Sequence, residues 1–345
     1  TTDNGALNLY ANARAADGVI NAQRDVGNAA ITMATGVSIN AGTGAVTINL
    51  YDGAGNTNRG AGDITLRSIT AGSIFARNYN TTGDIVISSG ALTASGTGTA
   101  ITLVSSRNFI NSSGASALAT PSGRFLVYSA NPANDTIGGL SNSFRRFSCT
   151  YGGSCPVIPG TGNGLLYSLT PTLTATPTAL SSIVYGAVVP TLTNYAYSLS
   201  GYLGSDASAD SVTGTLNAGT NYTQGSSIGN YAVNYSTGSL ASAMGYAVSY
   251  ANNSSAITVT PRLITVTADT KTKVYGAADP SLTYQVTTGS MFGSDAFTGA
   301  LSRSVGETVL GGPYAISKNT LSAGSNYTLT YVGSALSITP ATLSV

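Results

Sequence analysis

One glutamate and three lysines (Lys271, Lys273, Lys318) in 345 residues leave this chain almost nothing from which to build exposed helix. Serine and threonine, 91 residues between them, and 42 glycines take the place of charge. Small polar and β-branched side chains suit pleated, half-buried surfaces joined by tight turns. Charged residues make up 8%, against about 25% in an ordinary soluble domain. Helical bundles and α/β folds are excluded on that ground. The apolar fraction of 42% is enough for a core, whereas disordered chains are charged and poor in aliphatics. The expectation is a folded, all-β protein.

Histidine is absent. Its loss removes the commonest general base and metal ligand, and with them Ser-His-Asp triads, Cys-His dyads and HExxH zinc chemistry. The net charge is +1 with no basic block, so the electrostatic footprint of a nucleic-acid partner is missing. The chain is expected to be no enzyme and to hold neither cofactor nor metal. No charged-then-apolar leader opens it, and no run of about 18 apolar residues occurs. Thr1 opens without a methionine in text that reads like mid-domain, so the chain is expected to be a piece of a longer exported protein.

The composition changes partway along. Four of the 20 tyrosines precede residue 150 (Tyr10, Tyr51, Tyr79, Tyr128), and of the prolines only Pro121 and Pro132 do. The first part alternates short apolar strands with glycine-rich turns, as in Ala45-Val46-Thr47-Ile48-Asn49-Leu50 and Ala100-Ile101-Thr102-Leu103. An apolar residue recurs at Val46, Ile64, Ile85, Ile101 and Phe125, a spacing near 20 that predicts a solenoid with one coil per repeat. In Gly62-Asp63-Ile64 and Gly83-Asp84-Ile85 glycine is expected to take the corner and aspartate to cap local backbone donors. The reading is a right-handed parallel β-helix over residues 1–145. Six or seven coils at about 4.8 Å each would give a stack roughly 30 Å long. Its end needs covering; Phe144 and Phe147 are expected to plug the core there while Arg145 and Arg146 face water.

A longer repeat occupies the second part. Ser182-Ile183-Val184-Tyr185-Gly186-Ala187-Val188-Val189-Pro190 returns as Thr272-Lys273-Val274-Tyr275-Gly276-Ala277-Ala278-Asp279-Pro280. Gly204-Ser205-Asp206 recurs as Gly293-Ser294-Asp295, Tyr246-Ala247-Val248-Ser249-Tyr250 as Tyr327-Thr328-Leu329-Thr330-Tyr331, and Ile257-Thr258-Val259-Thr260-Pro261 as Ile338-Thr339-Pro340. Two tandem β-sandwich-like modules follow, over residues 169–261 and 262–340. Residues 146–168 form the junction, and 341–345 begin a further strand and module. Tyr185, Gly186, Pro190, Tyr275, Gly276 and Pro280 are read as a structural signature.

The Val-Tyr-Gly-x-x-x-Pro signature with its Gly-Ser-Asp, Tyr-x-x-x-Tyr and Ile-Thr-Pro blocks resembles the MBG module, which occurs in tandem in bacterial surface adhesins. The coils, ending in Gly123-Arg124-Phe125-Leu126-Val127-Tyr128-Ser129 and Asn131-Pro132-Ala133-Asn134-Asp135-Thr136, resemble the end of a filamentous-haemagglutinin-type β-helix. Together they are similar to a two-partner-secretion exoprotein of a Gram-negative bacterium. The resemblance implies export through an outer-membrane β-barrel transporter and a place outside the cell, attached to its surface. It further implies contacts with a polysaccharide, a cell-surface receptor or the protein's own copies, in a biofilm or on a host.

Cys149 and Cys155, the only two cysteines, bracket a Gly-Gly turn and read as a disulfide. Closing that loop contributes about 2 kcal/mol in the chain-entropy model. A metal site would lack two further ligands, and a redox pair usually has CxxC spacing. No Asp-x-Asp-x-Asp-Gly loop supplies a calcium cage. Asp206 and Asp210 lie close in sequence, but Asp206 recurs as Asp295, which suggests a turn role over a glycosidase pair. Tyr195, Tyr197 and Tyr202 have no one-for-one match in the second module, where only Tyr284 falls nearby. They are the candidate glycan contacts of an alternative, lectin-like reading, beside the plainer one of half-buried strand tyrosines.

Overall fold

The computed structural model describes residues 1–343. It is all-β, with 42% of residues in strands and 3% in short helical turns. No helix among the described residues is long and apolar enough to cross a membrane. The chain groups into two compact units. Residues 1–173, 200–214 and 240–249 form one; residues 174–199, 215–239 and 250 onward form the other.

The first unit contains a parallel β-helix with three faces. Leu7–Ala11, Ala45–Leu50, Ser73–Asn78, Gly98–Ser105 and Gly123–Ser129 stack in order on the first face. Ala29–Thr32, Ala61–Leu66, Ile85–Ile87 and Phe109–Asn111 make the second; Ile39–Asn40, Ile69–Ala71, Leu92–Ala94 and Leu118–Ala119 make the third. The chain visits the faces in rotation and every pairing within them is parallel, an arrangement whose crossovers are right-handed in nearly all proteins. Four complete coils are present among the described residues, where six or seven were expected.

The expected period near 20 also gives way. In register, Val46 lies beside Ile74, Ile74 beside Ile101 and Ile101 beside Phe125, steps of 28, 27 and 24 residues. The series Val46, Ile64, Ile85, Ile101, Phe125 moves from the first face to the second and back, so only its steps Ile64–Ile85 and Ile101–Phe125 span one coil, while the other two change face. The true columns are Ile31, Ile64, Ile85 and Phe109 on the second face, and Ile39, Ile69, Leu92 and Leu118 on the third. Ile64, Ile69, Ile85, Leu92 and Phe109 are fully buried. Each such side chain is worth about 1.5–3 kcal/mol by removal from water.

The corners differ from expectation in mechanism. Gly62 and Gly83 are not in the left-handed region; Gly62 lies within the strand Ala61–Leu66, and Gly83 is a glycine because the coils nearly touch there. A Cβ on Gly83 would stand 1.9 Å from the Gly62 carbonyl oxygen, which no side chain survives. The aspartates that follow cap the next coil and not their own turn. Asp63 Oδ1 accepts the Asp84 N–H at 2.8 Å, and Asp84 Oδ1 accepts the Asn108 N–H at 3.2 Å. Asp135 reaches back to accept the Phe109 N–H at 2.8 Å.

Past the last coil, Gly164–Tyr167 adds to the first face in parallel and Phe144–Arg146 adds beyond it. Alternation along these strands puts Phe144 opposite Gly164 on the outer side of that face. There it packs with Cys155 and Ile158 on a buried cluster of Val104, Leu126, Tyr128, Cys149 and Leu166. Cys149 and Cys155 are bridged. The disulfide loop and Phe144 thus cover the outside of the sheet; Phe144 does not plug the core.

The two modules share one strand order. In the first, Ile183–Val184 pairs in parallel with Asn253–Thr260, which pairs antiparallel with Gly229–Gly238, itself antiparallel to Leu216–Thr220. In the second, Lys271–Val274, Ser334–Thr339, Tyr314–Ser317 and Ser302–Arg303 repeat that order and those directions. The second module's other sheet sets Arg262–Ala268 between Tyr284–Thr288 and Tyr327–Val332, and Ile264, Val266, Leu336 and Ile338 are buried in it and its partner sheet. Residues 341–343 have no regular structure, and the rest of the strand expected after Pro340 lies outside the described residues.

Candidate functional site: a repeated tyrosine–aspartate junction

The Tyr-Gly pair of each module is a turn. Ala187 N–H donates to Val184 O and Ala277 N–H to Val274 O, at 2.9 and 3.0 Å. Gly186 and Gly276, at φ +83° and +85°, hold the third position, where a type II turn needs positive φ. The tyrosine is fixed from behind as well, because its N–H donates to the module's last strand, Tyr185 to Thr260 O and Tyr275 to Thr339 O. Pro190 and Pro280 follow in the irregular segments beyond these turns. The sequence signature therefore fixes the direction in which one phenol is presented.

What receives such a side chain is the other repeated pair. Tyr327 OH donates to Asp295 Oδ2 at 2.6 Å and accepts the Phe292 N–H at 2.8 Å. In the first module Tyr246 OH donates to Asp206 Oδ2 at 2.6 Å and accepts the Leu203 N–H at 3.0 Å. The Gly-Ser-Asp block and the first tyrosine of Tyr-x-x-x-Tyr are thus one device, made twice.

Each copy holds a side chain of the element before it. Asp295 Oδ2 accepts the Tyr185 hydroxyl at 2.9 Å, and the Tyr185 ring meets Phe292 and Tyr327 edge-on at 5.6 and 5.5 Å. Asp206, 3% exposed, pairs with the Arg145 guanidinium. Phe147 lies edge-on to Tyr246 at 4.9 Å and stacks on Tyr167 at 5.6 Å. Burial, then hydrogen bonding to Asp295, raises the Tyr185 phenol above its ordinary range; burial, then Asp206, does the same to Tyr246. Both phenols stay protonated donors.

Arg145 does not face water as expected. Register places it opposite Leu165, on the side away from Phe144, and this alternation delivers it to Asp206. Arg146 lies over the Phe144 ring at 5.4 Å and donates to Val157 O. Phe147 is fully buried, held among tyrosines. Asp206 is a junction acceptor as well as a turn residue. Asp210 holds backbone, accepting the Met244 N–H at 3.0 Å and the Ser242 hydroxyl at 2.8 Å.

Of the candidate glycan contacts, Tyr195 is 6% exposed and donates to Thr178 O, so its ring offers no open face. Tyr202 lies edge-on to Tyr246 at 5.3 Å. Tyr197 is half-buried on the strand Tyr197–Ser200. Sequence reading missed the junction because Asp295 lies 110 residues from Tyr185; the one available signal was that Gly-Ser-Asp and Tyr-x-x-x-Tyr repeat together.

The second module carries one feature that the first lacks. Lys273, where the first module has Ile183, is 8% exposed and donates to Asp279 and Glu307 at 2.6 and 2.5 Å. Arg303 pairs with the same two carboxylates. Arg303 and then Lys273 hold Asp279 down to about 2, and Lys273 and then Arg303 hold Glu307 low.

These elements define a module built on a Tyr-Gly turn. Residues 264–337 match the family model of the MBG domain, YGX type. The Tyr275-Gly276-Ala277 turn and the Asp295–Tyr327 pair both lie inside this MBG domain. No curated protein and no solved structure matches the chain. An MBG domain is consistent with an extracellular, adhesin-like repeat protein.

Proposed function

We propose that this chain belongs to a filamentous-haemagglutinin-like adhesin of a Gram-negative bacterium, exported by two-partner secretion and held outside the cell. Its coils act as shaft. Its modules project from the surface or make the adhesive contacts, toward matrix polysaccharide, a cell-surface receptor or another cell, including within a biofilm. No catalytic step is assigned, since a chain without histidine has neither the commonest general base nor the commonest metal ligand. The observation that carries the reading is an MBG domain standing second of two modules with one strand order, on a chain that also holds a parallel β-helix. Antibody against this chain should label intact producing cells, and deleting residues 169–340 from the producing strain should reduce attachment while leaving export intact. Signal only after the cells are broken open, or unchanged attachment, overturns it.

A further inference from the structure

The two Tyr-Gly turns have the same geometry and opposite surroundings. Tyr185 is 5% exposed and Tyr275 is 55% exposed. The difference is what stands in front of each. Tyr185 is covered by Phe292, Asp295 and Tyr327, and Gly186 and Gly225 lie so close to the Phe292 ring that a Cβ on either would meet it within 3 Å. The loop of residues 221–228 shares that contact, since Ile228 N–H donates to Asn326 Oδ1 at 3.0 Å. The second module repeats the turn, and the loop between Ser302–Arg303 and Tyr314–Ser317 repeats the position of loop 221–228 in the strand order. This second loop carries Val305 at 95% and Leu310 at 99% exposure. These two apolar side chains stand in water on the loop equivalent to the one that, in the first module, meets its neighbour.

We infer that the face of the second module bearing Tyr275, Val305 and Leu310 docks a further module of the same type, with the Tyr275 hydroxyl donating to that module's aspartate and packing against its paired tyrosine. The occupant is identified by this chemistry: an aspartate–tyrosine pair equivalent to Asp295–Tyr327. A second copy of this chain does not supply one, because Asp206 already holds Arg145 and Asp295 already holds Tyr185. The inference stands apart from the adhesin reading, as it needs only the repeated junction.

The test compares the chain with a version extended beyond residue 340 by a second copy of residues 262–340. Tyr275→Ala should leave the denaturant midpoint of the unextended chain unchanged. In the extended chain it should reduce the folding equilibrium of the appended copy about tenfold or more, as Tyr185→Ala should within the existing pair. Tyr275→Phe, which keeps the ring, should give a smaller loss that vanishes when the appended copy's counterpart of Asp295 is changed to Ala. Equal effects of Tyr275→Ala in both chains overturn the inference. So does self-association of the unextended chain that Tyr275→Ala or Leu310→Asp abolishes, because the face would then be a contact between copies.

Discussion

In the coils, Ile64 rests on Ile31 below and Ile85 above, and its neighbours along the strand repeat that arrangement. In the modules, the step from one to the next runs through a few side chains, a phenol on a carboxylate with two rings around it. Both regions join repeated units without charged surfaces. The coils spread the join over backbone ladders and apolar columns, so no single polar contact decides it. The modules concentrate it, so a few substitutions should separate joining from folding.

The largest effect should come from the coil core. Ile64→Ala empties a fully buried position in the second-face column and should cost about 4 kcal/mol, read as a lower urea midpoint of the first unit. A loss under about 1 kcal/mol would mean that the columns are not what holds the coils. Next is Asp206→Ala, which strands the Arg145 guanidinium and the Tyr246 hydroxyl together and should cost about 3 kcal/mol. Adding Arg145→Met should recover part of that loss; no recovery would show that Asp206 serves its own turn and not the junction.

A smaller change tests the second junction. Tyr185→Phe keeps the ring and removes one hydrogen bond, for about 1 kcal/mol. Its cost should disappear in an Asp295→Ala background if the pair is coupled as the geometry requires.

The smallest effect is a pH response of opposite sign in the two regions. Burial pushes the Asp135 carboxyl up to about 6, outweighing its bonds from the Ser129 hydroxyl and the Phe109 N–H. The folded coils therefore hold that proton more tightly than the unfolded chain, and stability falls as pH rises from about 4 to about 6. Asp52 lies outside this window: burial would raise it, but the Arg14 hydrogen bond leaves it low. Acidifying from pH 7 to 5 should raise the urea midpoint of the first unit, and Asp135→Asn should remove the response. In the second module Asp279 and Glu307 are held low, so their contribution is present above the ordinary carboxylate range. It should fade only as pH falls toward 2, faster in high salt because the pair is exposed.

Much of the coil region was legible in sequence, since alternation marks strands and Gly-Asp-Ile marks corners. Its period was not, because a three-faced coil sets down three apolar strands per turn, and loops of unequal length blur the interval between equivalent ones. Gly83 was legible as a residue but not in its cause: the Gly62 carbonyl passes close to it, which only stacking reveals. The Tyr-Gly turn could be read locally. Its acceptor could not, because no local pattern says that Asp295 faces Tyr185 or that Arg145 points opposite to Phe144.

The aspartate rungs give the coil stack a direction in time. Asp63 takes a donor from the coil that follows it, and Asp84 does the same. A finished coil thus offers its successor a fixed acceptor before that successor has formed, and coils can be laid down one after another from the amino-terminal side. Asp135 points the other way, to Phe109 behind it. The reversal spends the last rung on the coil already made, and beyond it only the first face runs on, through Gly164–Tyr167 and Phe144–Arg146.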